Sequence, residues 1–288
     1  MTSIQSLGSS NDLLYRIMKF NKPFILCRPG IGGDSMVPYL FKDRGTVDKA
    51  QLYALQNNAG IYFRDDQLKH KEDVVDLRHY CDTVYECYRK AALCACFPGV
   101  HSLVPTYNKF SPTQRLHNRV VEPFLMDTSL KSWTHHLEGK RVLIINPFAQ
   151  LINKQCEKLE LIWEKSHFKL PKSTVWITYA SPMTLAGNKL DVSWKYTFDK
   201  MCHDISQLEF DIALLGCGGY GHPLCEFIFS KLHKTAIYVG GALQIWFGIK
   251  GKRWEQRDDF KCFMNKHWVY PDITPLNSNR VENACYWK

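Results

Sequence analysis

Four stretches of this chain carry residue types that could do chemistry. Residues 210–227 read FDIALLGCGGYGHPLCEF, an apolar run closed by Gly216 and followed by Gly218, Gly219, Tyr220 and Gly221. Near the start, RPGIGGDS places Arg28 and Asp34 around Gly30, Gly32 and Gly33, and Asn57 and Asn58 precede Gly60 further on. Residues 146–150, NPFAQ, run from Asn146 to Gln150 behind another apolar run. The last stretch, VGGALQIWFGIKGKRW, holds Gly240, Gly241, Gln244, Lys250, Lys252, Arg253 and Trp254. Glycine turns let backbone N–H groups approach a phosphate, and a following helix adds partial positive charge. Lys250 and Arg253 would stabilise charge on a diphosphate. Asn and Gln amides suit sugar or base hydroxyls, and Trp254 offers a flat face. Asp34 would bind a metal–diphosphate or orient a hydroxyl, though the same position suits a helix N-cap.

The loop 216–221 matches G-x-G-x-x-G, the spacing of dinucleotide sites. That chemistry also needs an acid at the end of the next strand, about 20 residues on, for the ribose hydroxyls. No Asp or Glu lies between Phe227 and Trp254. The missing acid counts against NAD, and equally against an S-adenosylmethionine-dependent methyltransferase. A pair of glycines followed by cations stands there instead, which suits a diphosphate.

The elements that would position these residues repeat one pattern. Short β-branched or aromatic runs (PFILC, RVLIIN, STVWITYA, DIALLG, TAIYVGG) each lead into a turn and, in most cases, a helical segment. This predicts an α/β fold with a Rossmann-like, mostly parallel sheet and helices on both faces, built as a single domain over residues 1–288. Residues 65–97 read as a helical insert, with Leu68, Val75, Leu77, Tyr80, Val84, Tyr88 and Leu93 at mixed threes and fours. In such sheets ligands bind outside the carboxyl ends of the strands, so the four special loops should meet on one rim. The insert would overhang it, making Asp73 the favoured catalytic base beside Asp34; Asp76 and Glu86 are further candidates.

Composition narrows the classes. A 45% hydrophobic, 23% charged chain is globular, and its formal charge of +9 favours anionic ligands. The 37 Lys and Arg are dispersed and no nucleic-acid-binding motif appears, so nucleic acid is not the expected partner. Eleven cysteines without a C-x-x-C pair argue against zinc and against a disulfide framework. The first twenty residues lack the apolar core of a signal peptide, and the run 236–249 is too short to span a bilayer. A cytoplasmic, soluble protein is expected.

The pieces RPGIGGDS, NNAGIYF, LEGKRVLIINPFAQLINKQ, FDIALLGCGGYGHPL, AIYVGGALQIWFGIKGKRW, HWVYP and VENACYW together resemble a family of viral and bacterial sugar-transferase-like proteins. That family includes the xylosyltransferases that build the capsid N-glycan of large chloroviruses. The similarity runs over nearly the whole chain, and it is distantly similar to the GT-D type of glycosyltransferase. The resemblance implies a UDP-xylose donor, a fucose-containing acceptor on a viral capsid glycoprotein and a location in the host cytoplasm, with a divalent metal (Mn or Mg) as an option at Asp34; the leading reading is an inverting, nucleotide-sugar-dependent glycosyltransferase. The family's usual Glu is Asp34 here, and its RIGG is expanded to RPGIGG, which departs from the pattern at the metal position. Two other readings stay open: a methyltransferase, or a non-catalytic glycan- or nucleic-acid-binding protein.

Overall fold

The computed structural model describes residues 4–30, 33–97, 114–126 and 129–288; Gly32 lies outside them. Seven strands form one sheet: β1 Ile25–Cys27, β2 Leu93–Cys96, β3 Gln114–His117, β4 Arg141–Asn146, β5 Val175–Ala180, β6 Ile212–Leu215 and β7 Thr235–Tyr238. Their order is β3-β2-β1-β7-β6-β4-β5, and every pairing is parallel. The predicted α/β architecture is therefore the observed one.

Continuous apolar runs produce this arrangement because successive side chains must point to opposite, equally buried faces. On β4, Leu143 and Ile145 enter one core with Ile25, Ala213 and Ala236, while Val142 and Ile144 enter the other with Leu26, Leu214 and Ile237. All ten are at most 6% exposed, each larger aliphatic contributing ~1.5–3 kcal/mol by leaving water. The first core is covered by α2 (Gly33–Arg44), α3 (Lys49–Asn58), α4 (Lys71–Lys90), α6 (Trp194–Ser206) and α7 (Gly221–Leu232). The second is covered by α1 (Leu7–Lys19), α5 (Ala149–Cys156) and the chain after β7. No helix among the described residues is long and apolar enough to cross a membrane.

The segment 65–97 differs from its expected form. Helix α4 occupies only Lys71–Lys90; Leu93–Cys96 is strand β2, paired to β1 and β3. Four small or apolar residues directly behind a long helix carry no period of their own, so LCAC read as helix. Cys94 and Cys96 are thus sheet residues, whereas Cys81 and Cys87 are on α4. The helix lies against the sheet between α2 and α7, not over its rim. Strand β3 was also missed, because QRLH is a polar edge strand with one buried residue.

What positions the site is the direction in which the chain leaves each strand. From β1 and β6 it turns into α2 and α7 over the first core, but from β4 and β7 it turns to the second. Neighbouring strands whose exits diverge open a crevice at their carboxyl ends.

The entry into α7 is tight. A side chain added at Gly221 would overlap the ring of Tyr238, which is 7% exposed and whose hydroxyl donates to Gly218 O at 3.1 Å. Gly221→Ala should lower the urea-unfolding stability by ~1–3 kcal/mol, the range for overpacking a filled core. An unchanged midpoint would refute this account of the glycine.

Candidate functional site

A cavity of about 540 Å³ occupies the crevice, a volume suited to a small organic ligand. Every strand contributes to it from its carboxyl end: Arg28 after β1, Phe97 after β2, Asn118 after β3, Asn146 at the end of β4, Pro182 after β5, Gly216 after β6 and Gly240 after β7. All four loops singled out in the sequence open on it. Of the expected site residues, Arg28, Gly30, Asp34, Asn58, Asn146, Gly216, Gly218, Gly240, Gly241, Gln244, Arg253 and Trp254 border the cavity.

The glycine loop is a wall rather than a cradle. A Cβ at Gly216 would lie 2.8 Å from Gly240 O and 2.9 Å from Asn146 Nδ2. Asn146 itself joins two strand exits, donating to Gly216 O at 3.0 Å and accepting from Phe148 N at 2.9 Å. The Gly219 amide donates to Ala59 O at 2.7 Å, and its Cβ position is filled by Ile61. Gly219, Tyr220 and Gly221 therefore face protein and do not border the cavity. The spacing that suggested phosphate binding is set by close packing between β6, β7 and the turn after α3.

Other expected residues also fall outside. Gly33 is the first residue of α2, and Gln150 is exposed on α5, away from the cavity. The Asn57 amide donates to Tyr53 O at 2.9 Å, leaving its Oδ1 buried without a hydrogen bond. Lys250 pairs with Glu255 at 3.0 Å and lies 4.4 Å from the Tyr270 ring centroid, so it braces the C-terminal wall. Asp73 is the clearest correction. It is fully buried, accepts hydrogen bonds from the Arg64 and Asp65 amides at 2.9 Å, and is paired with the Arg64 guanidinium at 3.3 Å. It fixes the loop into α4 and is not placed to take a proton in the cavity.

Asp34 is well placed. It sits in the first turn of α2 on the cavity wall. Burial raises its pKa to about 6, against the opposing pull of its own and the Ser35 backbone amides and of Arg28. The Tyr80 hydroxyl donates to Asp34 O at 3.4 Å. Burial lifts the pKa values of Tyr80, Tyr88 and Tyr238 well above the usual range, and the Asp34 charge adds to that. Behind Tyr238, its ring centroid 4.3 Å away, lies His222, fully buried and held neutral by burial, its pKa lowered to about 3.

Four arginines border the cavity: Arg28, Arg119, Arg253 and Arg257. Arg28 donates to Val239 O at 3.2 Å and to Glu122 at 3.3 Å, with its guanidinium 4.9 Å from the Phe97 centroid. Glu122 is 6% exposed and also lies 3.9 Å from Arg119. Arg119 and Arg257 share Asp259 at 2.9 and 2.7 Å. The sequence reading missed Glu122, Arg119, Arg257, Glu282 and Tyr286, all bordering the cavity. Only VENACYW, quoted as part of the resemblance, signalled the last two.

Among the described residues no group of three His, Cys, Asp or Glu side chains gathers to hold a metal. Asp34 could therefore contribute a single protein ligand to a metal–diphosphate.

No protein-family model matches the chain, and no curated protein does. A solved structure described as a selenomethionine-substituted domain of unknown function 1792 aligns over 93% of this chain and 98% of its own, with 10% identity and a TM-score of 0.41. That likeness is too slight to bear on the site.

Asp73→Ala should cost ~2–4 kcal/mol of stability, because two buried amides and an arginine lose their acceptor. Ligand affinity measured at a temperature where the variant is folded should be unchanged. A stable Asp73→Ala chain that has lost only turnover would restore Asp73 as a base.

Proposed function

We propose that the cavity binds a nucleotide sugar and that the protein is an inverting glycosyltransferase. The observation that carries this reading is a carboxylate with a pKa of about 6 facing the same cavity as four arginines. Direct displacement needs both. A base takes the proton of the acceptor hydroxyl while positive groups stabilise the charge that grows on the departing diphosphate. Asp34 is the base, and the arginine wall receives the leaving group. Bond formation from the acceptor oxygen to the anomeric carbon accompanies cleavage of the bond from that carbon to phosphate, on the opposite side. The configuration inverts and Asp34 ends protonated.

The family resemblance narrows the substrates to UDP-xylose as donor and a fucose-containing capsid glycan as acceptor. Mn or Mg, if required, would meet the diphosphate near Asp34, where it would neutralise phosphate charge. The methyltransferase alternative fits less well, since an arginine-walled cavity opposes a cationic sulfonium. A purely glycan-binding protein would leave the raised pKa of Asp34 without a task.

Incubation with a panel of nucleotide sugars should release UDP with one of them, and calorimetry should show UDP binding. Failure of both with every donor would defeat the proposal. Asp34→Asn should lower turnover by ~10²–10⁴-fold, the usual share of a general base, with UDP affinity nearly kept. Wild-type turnover should rise with pH through about 6 as the carboxyl loses its proton. The stability effect has the opposite sense. The folded-state pKa lies above the ordinary 3.8, so Asp34 contributes most stability below that value and loses it as pH rises through about 6. Asp34→Asn should therefore raise stability at pH 8, by at most ~3 kcal/mol. A variant less stable at pH 8 than the wild type would contradict the strained-carboxylate account.

A further inference from the structure

The segment 281–287, VENACYW, is a motif that the proposed mechanism leaves unused. Glu282, Asn283 and Ala284 have φ values of 45°, 56° and 60°, three successive non-glycine residues in the left-handed region. Glu282 and Ala284 each cost ~1–2 kcal/mol there, Asn283 less because its short amide tolerates this region, and such strain persists only where surrounding contacts enforce it. The contacts are present. Lys252 N donates to Trp287 O and Arg253 N to Cys285 O, both at 3.0 Å, and the Gln244 amide donates to Tyr286 O at 3.3 Å. The Tyr286 ring fills the space that a Cβ on Gly241 would need.

This strained strap delivers two side chains to one guanidinium. Arg253 Nη1 donates to the Tyr286 hydroxyl at 3.2 Å, and its guanidinium carbon lies 4.7 Å from the Tyr286 ring centroid. The Nη2 side of Arg253 pairs with Glu282, whose side chain is 53% exposed. The other cavity arginines are held differently. Arg257 is gripped by both oxygens of Asp259, at 3.1 and 2.7 Å, and Arg28 is tied to a buried Glu122 and a strand-end carbonyl. Arg253 alone among these four has its carboxylate on an exposed, strained turn. A solvated carboxylate is a weak partner, and a diphosphate brings more charge to the same fork.

We infer that Arg253 is the anchor for the diphosphate, that Tyr286 positions it, and that Glu282 covers its anion-binding edge until ligand displaces it. The inference rests on the nucleotide-sugar reading above. Tyr286 fixes the plane of the guanidinium through its hydroxyl and ring face, so the remaining N–H edge is presented ready-made. Glu282 is a competitor for that edge rather than a contact to the ligand, which sets the sign of its effect.

Calorimetry with UDP and with uridine on the wild type, Glu282→Gln and Tyr286→Phe tests this. Removing the competing charge should tighten UDP binding by about threefold, the scale of an exposed ion pair. Removing the hydroxyl should weaken UDP about tenfold, as expected for one hydrogen bond to a charged group, while uridine affinity stays put. Arg253→Lys, which keeps the charge but loses the fork, should weaken UDP and spare uridine. Matching thermal midpoints would confine these differences to binding. Tight wild-type UDP binding with Glu282→Gln unchanged or weaker would overturn the inference alone, as would Tyr286→Phe weakening uridine and UDP alike. No UDP binding by the wild type would instead defeat the nucleotide-sugar reading on which it rests.

Discussion

At the end of β6 the chain has no room for a side chain. A Cβ on Gly216 would meet the carbonyl of Gly240, the amide of Asn146 and the side chain of Leu243, all within 3.0 Å. Three strand exits converge on that one atom position, and the cavity exists because they do. Asn146 closes β4 onto β6 through Gly216 O. The turn at Gly240, with φ of 70°, brings its carbonyl onto Gly216 and leaves Arg28 Nη1 just 3.2 Å from where a Cβ would sit. A larger residue at either position would force the β6 and β7 exits apart and move the arginine that lies against them. The packing of backbone on backbone at this junction thus sets where charge can stand.

The fold was legible because its central strands are buried on both faces. A run such as RVLIIN can satisfy that only in a covered parallel sheet, and β1, β4, β6 and β7 announce themselves in this way, while the edge strand β5 is marked by its β-branched and aromatic residues although none of them is fully buried. LCAC and QRLH do not. One follows a helix without a turn residue to mark the break, and the other is a polar edge strand. The loops at strand ends were likewise legible as a group, since parallel topology sends them all to one side. Which residues within each loop face the cavity was not, because that depends on neighbours distant in sequence. Gly219 is occupied by Ile61 and Gly221 by Tyr238, pairings that no spacing rule contains. Asp73 misled for a related reason: a carboxylate early in a helix reads the same whether it faces solvent, substrate or its own loop.

The electrostatic balance of the cavity depends on how its charges are shared out. Four arginines are offset by Glu122 and Glu282 on the wall and by Asp259 behind it, so that no arginine faces the cavity without a carboxylate. Asp34 is the exception among the acids. Its only charged influence of note is Arg28, and burial outweighs it, which is why the pKa rises rather than falls. A carboxylate drawn into an ion pair would be a poor base near neutral pH. Pairing Arg28 with Glu122 spares Asp34 that fate, so the buried Arg28–Glu122 contact and the raised pKa of Asp34 are two sides of one arrangement.

The same logic explains why the C-terminal wall is the strained one. Arg28 and Arg257 are fixed by geometry that leaves little to displace, whereas the left-handed turn at residues 282–284 holds its carboxylate on Arg253 at a conformational cost. On the nucleotide-sugar reading proposed above, a site that holds a diphosphate and then releases it gains from one contact that is easily exchanged among several that are permanent. Gly241 and Gly251 make this possible on the protein side, since Tyr286 occupies the volume that any Cβ there would take. The glycines of the β7 turn therefore serve the strap as much as any ligand, and their density in the sequence reflects close backbone packing around an arginine wall more than a phosphate-binding loop.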